Sequence, residues 1–192
     1  MSDFAFYFST GWHHIISRNA LDHQLFILAL TAIYLSANWK QAFVLATAFT
    51  IGHSLTLALS VYDITRFDTK WVEFFIPLTI IATAVSNLRL KDLTQPSLRI
   101  NYPLGLVFGL IHGMGFANTL RFMLAKDQSI AIPLISFNIG LEVGQLIIVA
   151  FILLAGHIAV TRFKLNRKWW VRILSGIAII IAVLMAKERW PL

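Results

Sequence analysis

Six apolar stretches recur along the chain, separated by short polar connections. An α-helix needs about 20 predominantly apolar residues to cross the hydrocarbon core of a bilayer, and these stretches approach or reach that length. The pattern therefore predicts membrane spans over residues 21–37, 41–62, 71–88, 102–124, 131–160 and 171–187. No connection is long enough to form a separate soluble domain, so residues 1–192 are expected to form a single integral membrane domain.

Residues 4–19 differ from these stretches, because aromatic side chains are mixed there with polar and basic ones. The segment is too short and too polar to cross a bilayer, and its composition is typical of an amphipathic helix that lies in the membrane interface. The predicted fold class is therefore all-α: a polytopic membrane protein with a bundle of six transmembrane helices, preceded by a short interfacial N-terminal helix.

The composition excludes a soluble domain with an ordinary polar surface. Of the 192 residues, 58% are hydrophobic and only 13% are charged, and the mean hydropathy is +0.74. The formal net charge of +7 does not indicate nucleic acid here, since the basic residues lie mostly in the connections, as topology signals and contacts to anionic lipid. The chain has no cysteine, so a metal would be held by nitrogen and oxygen.

The distribution of basic residues predicts the orientation in the membrane. Six spans place both termini on one side, which holds seven of the 16 Lys and Arg residues, whereas the other side holds nine. Because cytoplasmic connections carry an excess of Lys and Arg, both termini are expected outside and the basic residues 162–172 in the cytoplasm. A bacterial inner membrane is the expected location, and the first span is expected to direct insertion, because no basic leader precedes it.

His112 lies in the middle of an otherwise apolar stretch and is a functional candidate for that reason. Gly105, Gly109 and Gly113 recur beside it at i, i+4 spacing, so one face of the predicted helix is nearly bare backbone. Small residues in this arrangement let neighbouring helices approach closely. The imidazole is therefore predicted to lie where helices meet.

Other polar side chains lie inside the spans or at their boundaries. The full set is His14, Asp22, His23, His53, Glu73, His112, Asn138, Glu142 and Gln145. Counted from the start of each span, His53, His112 and Glu142 lie near mid-depth. The remaining His and acidic residues lie toward the side of the termini, which predicts a central site with an entry path.

Energetics favour a functional role for this set. An ionised residue at the centre of a spanning helix costs ~2.5–3.5 kcal/mol on insertion scales, whereas a hydrogen bond between helices contributes only about 0.6 kcal/mol on average. Structural hydrogen bonding therefore does not explain Glu142. Two histidines at one depth with a carboxylate favour a site for a divalent cation or a proton, with Asn138 and Gln145 orienting Glu142.

Two local patterns carry narrower predictions. Adjacent residues on a helix project about 100° apart, so of Asp22 and His23 one is expected to bind a ligand while the other orients or caps it. The Ser54 hydroxyl is expected to bond to a carbonyl of the preceding turn rather than act as a nucleophile. A lone histidine such as His53 could equally donate to a neighbouring carbonyl.

Several blocks of residues resemble the HupE/UreJ membrane proteins. They are Gly11-Trp-His-His14-Ile with Asp22-His23-Gln-Leu-Phe26, Phe49-Thr50-x-x-His53-Ser54, Glu73, Phe108-Gly109-Leu-Ile-His112-Gly113 with Gly115-Phe116-Ala117, and Phe137-Asn138-x-Gly140-x-Glu142-x-Gly144-Gln145. The likeness covers the first five spans, whereas the last span matches only in being apolar.

The resemblance implies a permease for nickel or cobalt that supplies the maturation of hydrogenase or urease. The metal ligands that it implies are His14, Asp22, His23, His53, Glu73, His112 and Glu142. Ser54, Asn138 and Gln145 would support them. Imidazole with oxygen also suits zinc and iron(II). The expected partners are the lipid bilayer and the metal ion, not nucleic acid, with a homo-oligomer or an accessory membrane or periplasmic protein left open.

Two other classes of function could use the same residues. An intramembrane metal-dependent enzyme would hold a catalytic zinc or iron through three protein ligands and act on a lipid or another amphipathic substrate. A haem- or quinone-binding module would use His53 and His112 as paired ligands. The transporter is favoured over both. The chain contains no nucleotide-binding motif, so coupling would come from a gradient, the membrane potential or a partner.

Overall fold

The computed structural model describes residues 3–66, 68–93, 98–123 and 130–191. Within these ranges the chain forms α-helices and two short 3₁₀ helices and no strand, which confirms the all-α prediction. The helices are α1 Asp3–Ile16, α2 Leu21–Thr31, α3 Trp39–Val61, α4 Thr69–Arg89, α5 Leu98–Met123, α6 Ala131–Thr161 and α7 Arg167–Glu188. The 3₁₀ helices are Arg18–Ala20 and Ser36–Asn38.

Four helical segments of the described chain are long and apolar enough to cross a membrane. They are Ser36–Val61, Thr69–Arg89, Ala131–Thr161 and Arg167–Glu188. α5 has 26 residues, so its length also suits a span. The predicted first span over residues 21–37 is wrong as a continuous helix, because α2 has only 11 residues and rises about 16 Å, roughly half of the hydrocarbon core.

The break between α1 and α2 is built into the local hydrogen bonding. Ser17 is extended, with φ −64° and ψ 157°, and a single 3₁₀ turn follows it. The carboxamide of Gln24 donates to the carbonyl oxygens of Ile15, Ile16 and Ser17, at 3.0 to 3.1 Å. A helix end leaves such carbonyls without partners. Gln24 therefore satisfies them and stabilises the interruption.

α1 and α2 follow α6 one after the other. Gly11 of α1 and Gly140 of α6 form close backbone contacts with Phe137 and Phe8, respectively. Farther along α6, Leu28 of α2 shares a surface groove with Ile148. The two short helices together have about the rise of one membrane crossing. Because α1 is aligned with α6, the prediction of a helix lying in the interface is not confirmed.

α3 and α5 run parallel in close contact through the glycine face predicted from the sequence. A Cβ atom added at Gly109 would come closer than 3.0 Å to the carbonyl of Phe49, and one added at Gly113 would meet the carbonyl of His53 in the same way. Gly52 of α3 makes the reciprocal contact with α5. This register brings His53 and His112 to the same level of the bundle.

Replacing Gly109 by alanine is expected to destabilise the protein, because the new methyl group would push α5 away from α3. Overfilling a packed contact costs about 1–3 kcal/mol, so thermal unfolding in detergent should begin several degrees lower. Gly176→Ala is the matched control, since no atom lies within 4 Å of the position of its added Cβ. Equal midpoints for the two variants would contradict the close packing described.

Two hydrogen bonds hold the far end of α2 against the rest of the bundle. The side chain of Asn87 on α4 donates to the carbonyl of Ala29 at 2.7 Å. The guanidinium of Arg167, at the start of α7, donates to the carbonyl of Ile33 at 2.7 Å. α2 thus has one end at the break and the other end anchored, which positions the residues at its start.

Candidate metal centre

Four histidines from four helices converge beside the break. His14 of α1, His23 of α2 and His53 of α3 have ring centroids 4.8 Å (His14–His23), 5.8 Å (His23–His53) and 6.1 Å (His14–His53) apart. His112 of α5 lies 5.0 Å from His23 by the same measure. His53 and His112 have no exposed surface, and His23 is 4% exposed. The structure therefore brings together all four histidines predicted as ligands.

Three of these side chains offer ligand atoms that lie close enough together to hold one metal ion. One ligand nitrogen from each of His14, His23 and His53 lies within 4.8 Å of the other two. Metal–nitrogen bonds of 2.0–2.1 Å in a tetrahedral site place neighbouring nitrogens roughly 3.3 Å apart. To hold one ion, these nitrogens would have to approach one another by up to about 1.5 Å.

Five buried ring nitrogens of the four histidines have no hydrogen-bond partners. This holds for Nε2 of His14, His23 and His112 and for both nitrogens of His53. Buried polar atoms in folded proteins are nearly always hydrogen-bonded, and each exception requires an explanation. Five such atoms in one cluster, on a residue type that binds transition metals through the same atoms, indicate a binding site for a cation.

The opposite nitrogens of two rings are held by acceptors. His112 Nδ1 lies 2.8 Å from the carbonyl of Phe108, which can only accept, so Nδ1 carries the proton and Nε2 keeps its lone pair. His23 Nδ1 lies 2.9 Å from the Asp22 carboxylate. Metal-ligating histidines commonly donate their second N–H in this way, which fixes the tautomer and raises the basicity of the ligand.

Asp22 takes a different position from the one predicted for a metal ligand. Its Oδ1 accepts hydrogen bonds from both the backbone and the ring of His23, and its Oδ2 accepts one from Arg189 at 3.0 Å. These three contacts occupy both carboxylate oxygens and hold the carboxylate beside His23. Asp22 therefore orients His23, which is the second role that the adjacency of the two residues predicted.

A cavity of about 200 Å³ connects the cluster to the end of the bundle that carries the termini. Its walls include His14, Asp22, His23, Glu73, His112, Asn19, Ile76, Gly115, Phe116 and Arg189. Asn19 and Glu73 are exposed, whereas Asp22, His23 and His112 are buried. We call this cavity the vestibule. Glu73 thus lies at its mouth, on the side that the sequence predicted, and not among the imidazoles.

Glu142 is the predicted ligand that lies in a different cavity from the histidines. Its carboxylate accepts hydrogen bonds from Thr47, at 2.6 Å, and from Thr50, and it lines a groove between α3 and α6. At the level of the histidines α6 presents Phe137, whose ring is stacked on that of His53. Glu142 is five residues farther along, about 7.5 Å along the helix axis. Counting depth alone did not capture this offset.

The three predicted supporting residues make mostly local contacts. Gln145 is buried and donates to the carbonyl of Ala46 at 2.7 Å, and its oxygen lies 3.4 Å from the Thr50 hydroxyl that also bonds Glu142, so it reaches Glu142 only through Thr50. Asn138 lies beside His53. Its carboxamide oxygen does not form a well-formed hydrogen bond with the imidazole. The Ser54 hydroxyl donates to the carbonyl of Thr50 at 2.7 Å, which confirms the prediction of a bond to the preceding turn.

Aromatic rings enclose the histidines, and the sequence reasoning assigned them no role. Phe26 packs against both Phe49 and Phe108, and the rings of Phe26 and Phe49 lie 5.2 and 5.1 Å from that of His112. On another side Phe116 and Phe137 stack at 5.0 Å. All five belong to the blocks that carry the family resemblance, and this membership could have singled them out. No sequence pattern singled out Arg189, which lies beyond the last span.

The model of a protein family described as "HupE / UreJ protein" matches residues 1–190, essentially the whole chain. The chain belongs to the HupE/UreJ family. Members of this family are associated with nickel and cobalt uptake. No curated protein and no solved structure matches the chain. Within this HupE/UreJ chain, the matched region includes the four clustered histidines, Asp22 and Arg189.

Proposed function

We propose that this HupE/UreJ protein is a permease for a divalent transition-metal cation, nickel or cobalt, and that the ion binds to His14, His23 and His53 with His112 beside them. The observation that carries the proposal is the set of five unpartnered, buried ring nitrogens. Imidazole is a ligand that suits these metals. The family's association with nickel and cobalt uptake supports the choice of substrate.

The surroundings of the cluster support movement of the ion through the protein. The vestibule reaches the cluster from one end, whereas Phe26, Phe49 and Phe108 close it on the other. Beyond these rings lies a second small cavity, with Asn87 and Asn101 in its wall. In a permease this arrangement corresponds to a state open at one end, and displacement of the three rings would open the other.

The break between α1 and α2 supplies an element that could move. His14 precedes the break and His23 follows it, so a change in the angle between the two short helices would alter the spacing of two ligands at once. Discontinuous helices carry the substrate sites of many transporters. With α1 and α2 together making one crossing, the chain would cross the membrane six times.

A metal-dependent enzyme acting on lipid receives less support from the geometry. Such an enzyme needs a lateral route from the bilayer to the metal ligands. The groove between α3 and α6 is open laterally, but none of the four histidines lines it. Haem is disfavoured by size, since the vestibule, at about 200 Å³, is smaller than the 300–1,000 Å³ typical of sites for ligands of drug size.

The proposal is tested by metal flux into liposomes that contain the purified protein. Nickel and cobalt should enter with saturable kinetics in the parent, and flux should fall to the level of empty liposomes in a variant with His14, His23 and His53 all changed to alanine. Glu142→Gln is the comparison variant, because Glu142 lies outside the cluster and should retain flux. Parent flux equal to that of protein-free liposomes would refute the permease.

Arg189 is expected to weaken the binding of a divalent cation in the vestibule. Its guanidinium pairs with Asp22 and places a positive charge next to the entry route. Arg189→Gln should raise metal affinity about five- to tenfold, corresponding to ~1–1.4 kcal/mol, a plausible size for one nearby charge. Calorimetric titration measures this, with Lys187→Gln as the control of equal charge change at an exposed position. Weaker binding in Arg189→Gln would contradict the expectation.

A further inference from the structure

A separate polar cavity lies between the end of α4 and the start of α7, at the end of the bundle opposite to the vestibule. It has a volume of about 270 Å³. Arg89 and Lys91 form one wall and Lys168 and Arg172 the other, and none of the lining residues is acidic. We call this cavity the basic pocket. The residues that line it therefore carry four positive charges and no negative one.

One nearby carboxylate cannot balance the four positive charges of the basic pocket. Asp92 follows the α4 wall in sequence but does not line the basic pocket. It interacts electrostatically with Arg167, which is itself anchored to the carbonyl of Ile33. The neutralising anion for the basic pocket is therefore expected to come from outside the chain.

The rim of the basic pocket has the chemistry of a membrane interface. Leu88 and Leu90 are exposed beside the basic residues, and Trp169 is 56% exposed. Arg172 lies over the ring of Trp169, with its Cζ atom 5.3 Å from the centroid. Tryptophan and basic side chains are enriched where a membrane protein meets the headgroups. A ligand here would meet cations at one end and apolar surface at the other.

We propose that the basic pocket binds the phosphate headgroup of an anionic phospholipid. Basic pockets between transmembrane helices on the cytoplasmic side bind such headgroups, and the positive-inside tendency predicts that side for this end of the chain. The exposed leucines and Trp169 continue the pocket into a surface for acyl chains. Free phosphate would use the four cations but not this apolar rim, which favours the lipid.

A bound headgroup would join α4 to α7. The wall of the basic pocket also contains Asn87, whose side chain anchors α2 through the carbonyl of Ala29. At their other ends the same two helices carry Glu73 and the residue that follows α7, Arg189, both at the vestibule. The lipid therefore stabilises the pair of helices that frames the entry route, and it should raise the unfolding temperature.

Lipid retention tests the proposal without reference to metal. Native mass spectrometry of protein extracted from liposomes of phosphatidylcholine and phosphatidylglycerol should show one phosphatidylglycerol retained per chain. The double variant Lys91→Gln with Lys168→Gln should retain at least tenfold less. The control, Arg162→Gln with Lys164→Gln, changes two exposed cations at the same end that lie outside the pocket, and it should retain lipid like the parent.

Two further arms decide the nature of the ligand. Phosphatidylglycerol should raise the thermal midpoint of the parent and the control but not of the pocket variant. Inorganic phosphate should neither raise the midpoint nor displace the lipid. Equal retention by the pocket and control variants would overturn the proposal. Displacement by inorganic phosphate at matched concentration would also overturn it, by showing a site for the free anion. Neither readout depends on metal transport.

Discussion

His53→Phe is expected to weaken metal binding by at least about 100-fold without destabilising the metal-free protein. In the structure the ring of His53 is fully buried, stacked near Phe49 and Phe137, and makes no hydrogen bond through either nitrogen. Unsatisfied buried polar atoms are costly, and replacing them by an apolar group of similar shape is nearly neutral or stabilising. A residue retained for stability would behave in the opposite way, so this variant separates a binding role from a structural one.

The measurement is thermal unfolding in detergent with and without nickel. The parent should be stabilised by the ion, because a ligand that binds only the folded state raises its stability. His53→Phe should lose this shift, with affinity reduced by at least about 100-fold, above the 10–100-fold effect of residues that only orient a ligand. His13→Phe, at an exposed neighbouring histidine, should keep the shift. A large loss of metal-free stability with nickel binding retained would contradict the role assigned to His53.

Asp22→Asn is expected to weaken metal binding by about 10–100-fold, the range found when the partner of a ligating histidine is changed. The carboxylate accepts from His23 Nδ1 and from the backbone of the same residue. The substitution keeps the size of the side chain but removes its charge and one of its two acceptor oxygens. His23 and Arg189 then compete for the oxygen that remains, so the imidazole is held less firmly. Metal flux and affinity should fall together.

A charge argument alone would predict a different pattern for the vestibule. If Asp22 only attracted cations, Glu73→Gln would reduce affinity by a similar factor, since Glu73 lines the same cavity. We expect Glu73→Gln to slow entry at low ionic strength and to leave equilibrium affinity within about twofold, because an exposed charge is screened by salt. Calorimetric titration of both variants separates these roles. Equal losses of affinity would show that Asp22 acts through charge and not through His23.

The sequence was sufficient to predict that His53 and His112 lie near one level of the bundle and that His112 lies where helices meet. Gly109 and Gly113 are visible as a small-residue face, and close contact with a neighbouring helix follows from it, but the sequence did not identify that helix as α3. The place of each histidine near the middle of its apolar stretch then sets a common level. Glu142 was misplaced because a count along a helix gives depth, whereas the direction of the side chain depends on how α6 packs. That packing puts Phe137 against His53.

The interruption of the first crossing could not be read from hydropathy. The apolar run from Leu21 continues past the end of α2, so its composition predicts a longer helix than the one that forms. The hydrogen bonds from Gln24 across the break and the anchoring of Ala29 by Asn87 are tertiary or irregular contacts. Arg189 illustrates the same limit, because its partner Asp22 is 167 residues away in the chain.

X-ray absorption spectroscopy at the nickel edge tests the central claim most directly. In the purified protein loaded with one equivalent of nickel, we predict scattering from at least three imidazole rings, with nitrogen in the first coordination sphere. The count should drop by one in His53→Phe at a nickel concentration high enough to occupy the weakened site. A first sphere of oxygen without imidazole, or a spectrum unchanged by this substitution, would show that the clustered histidines do not bind the ion.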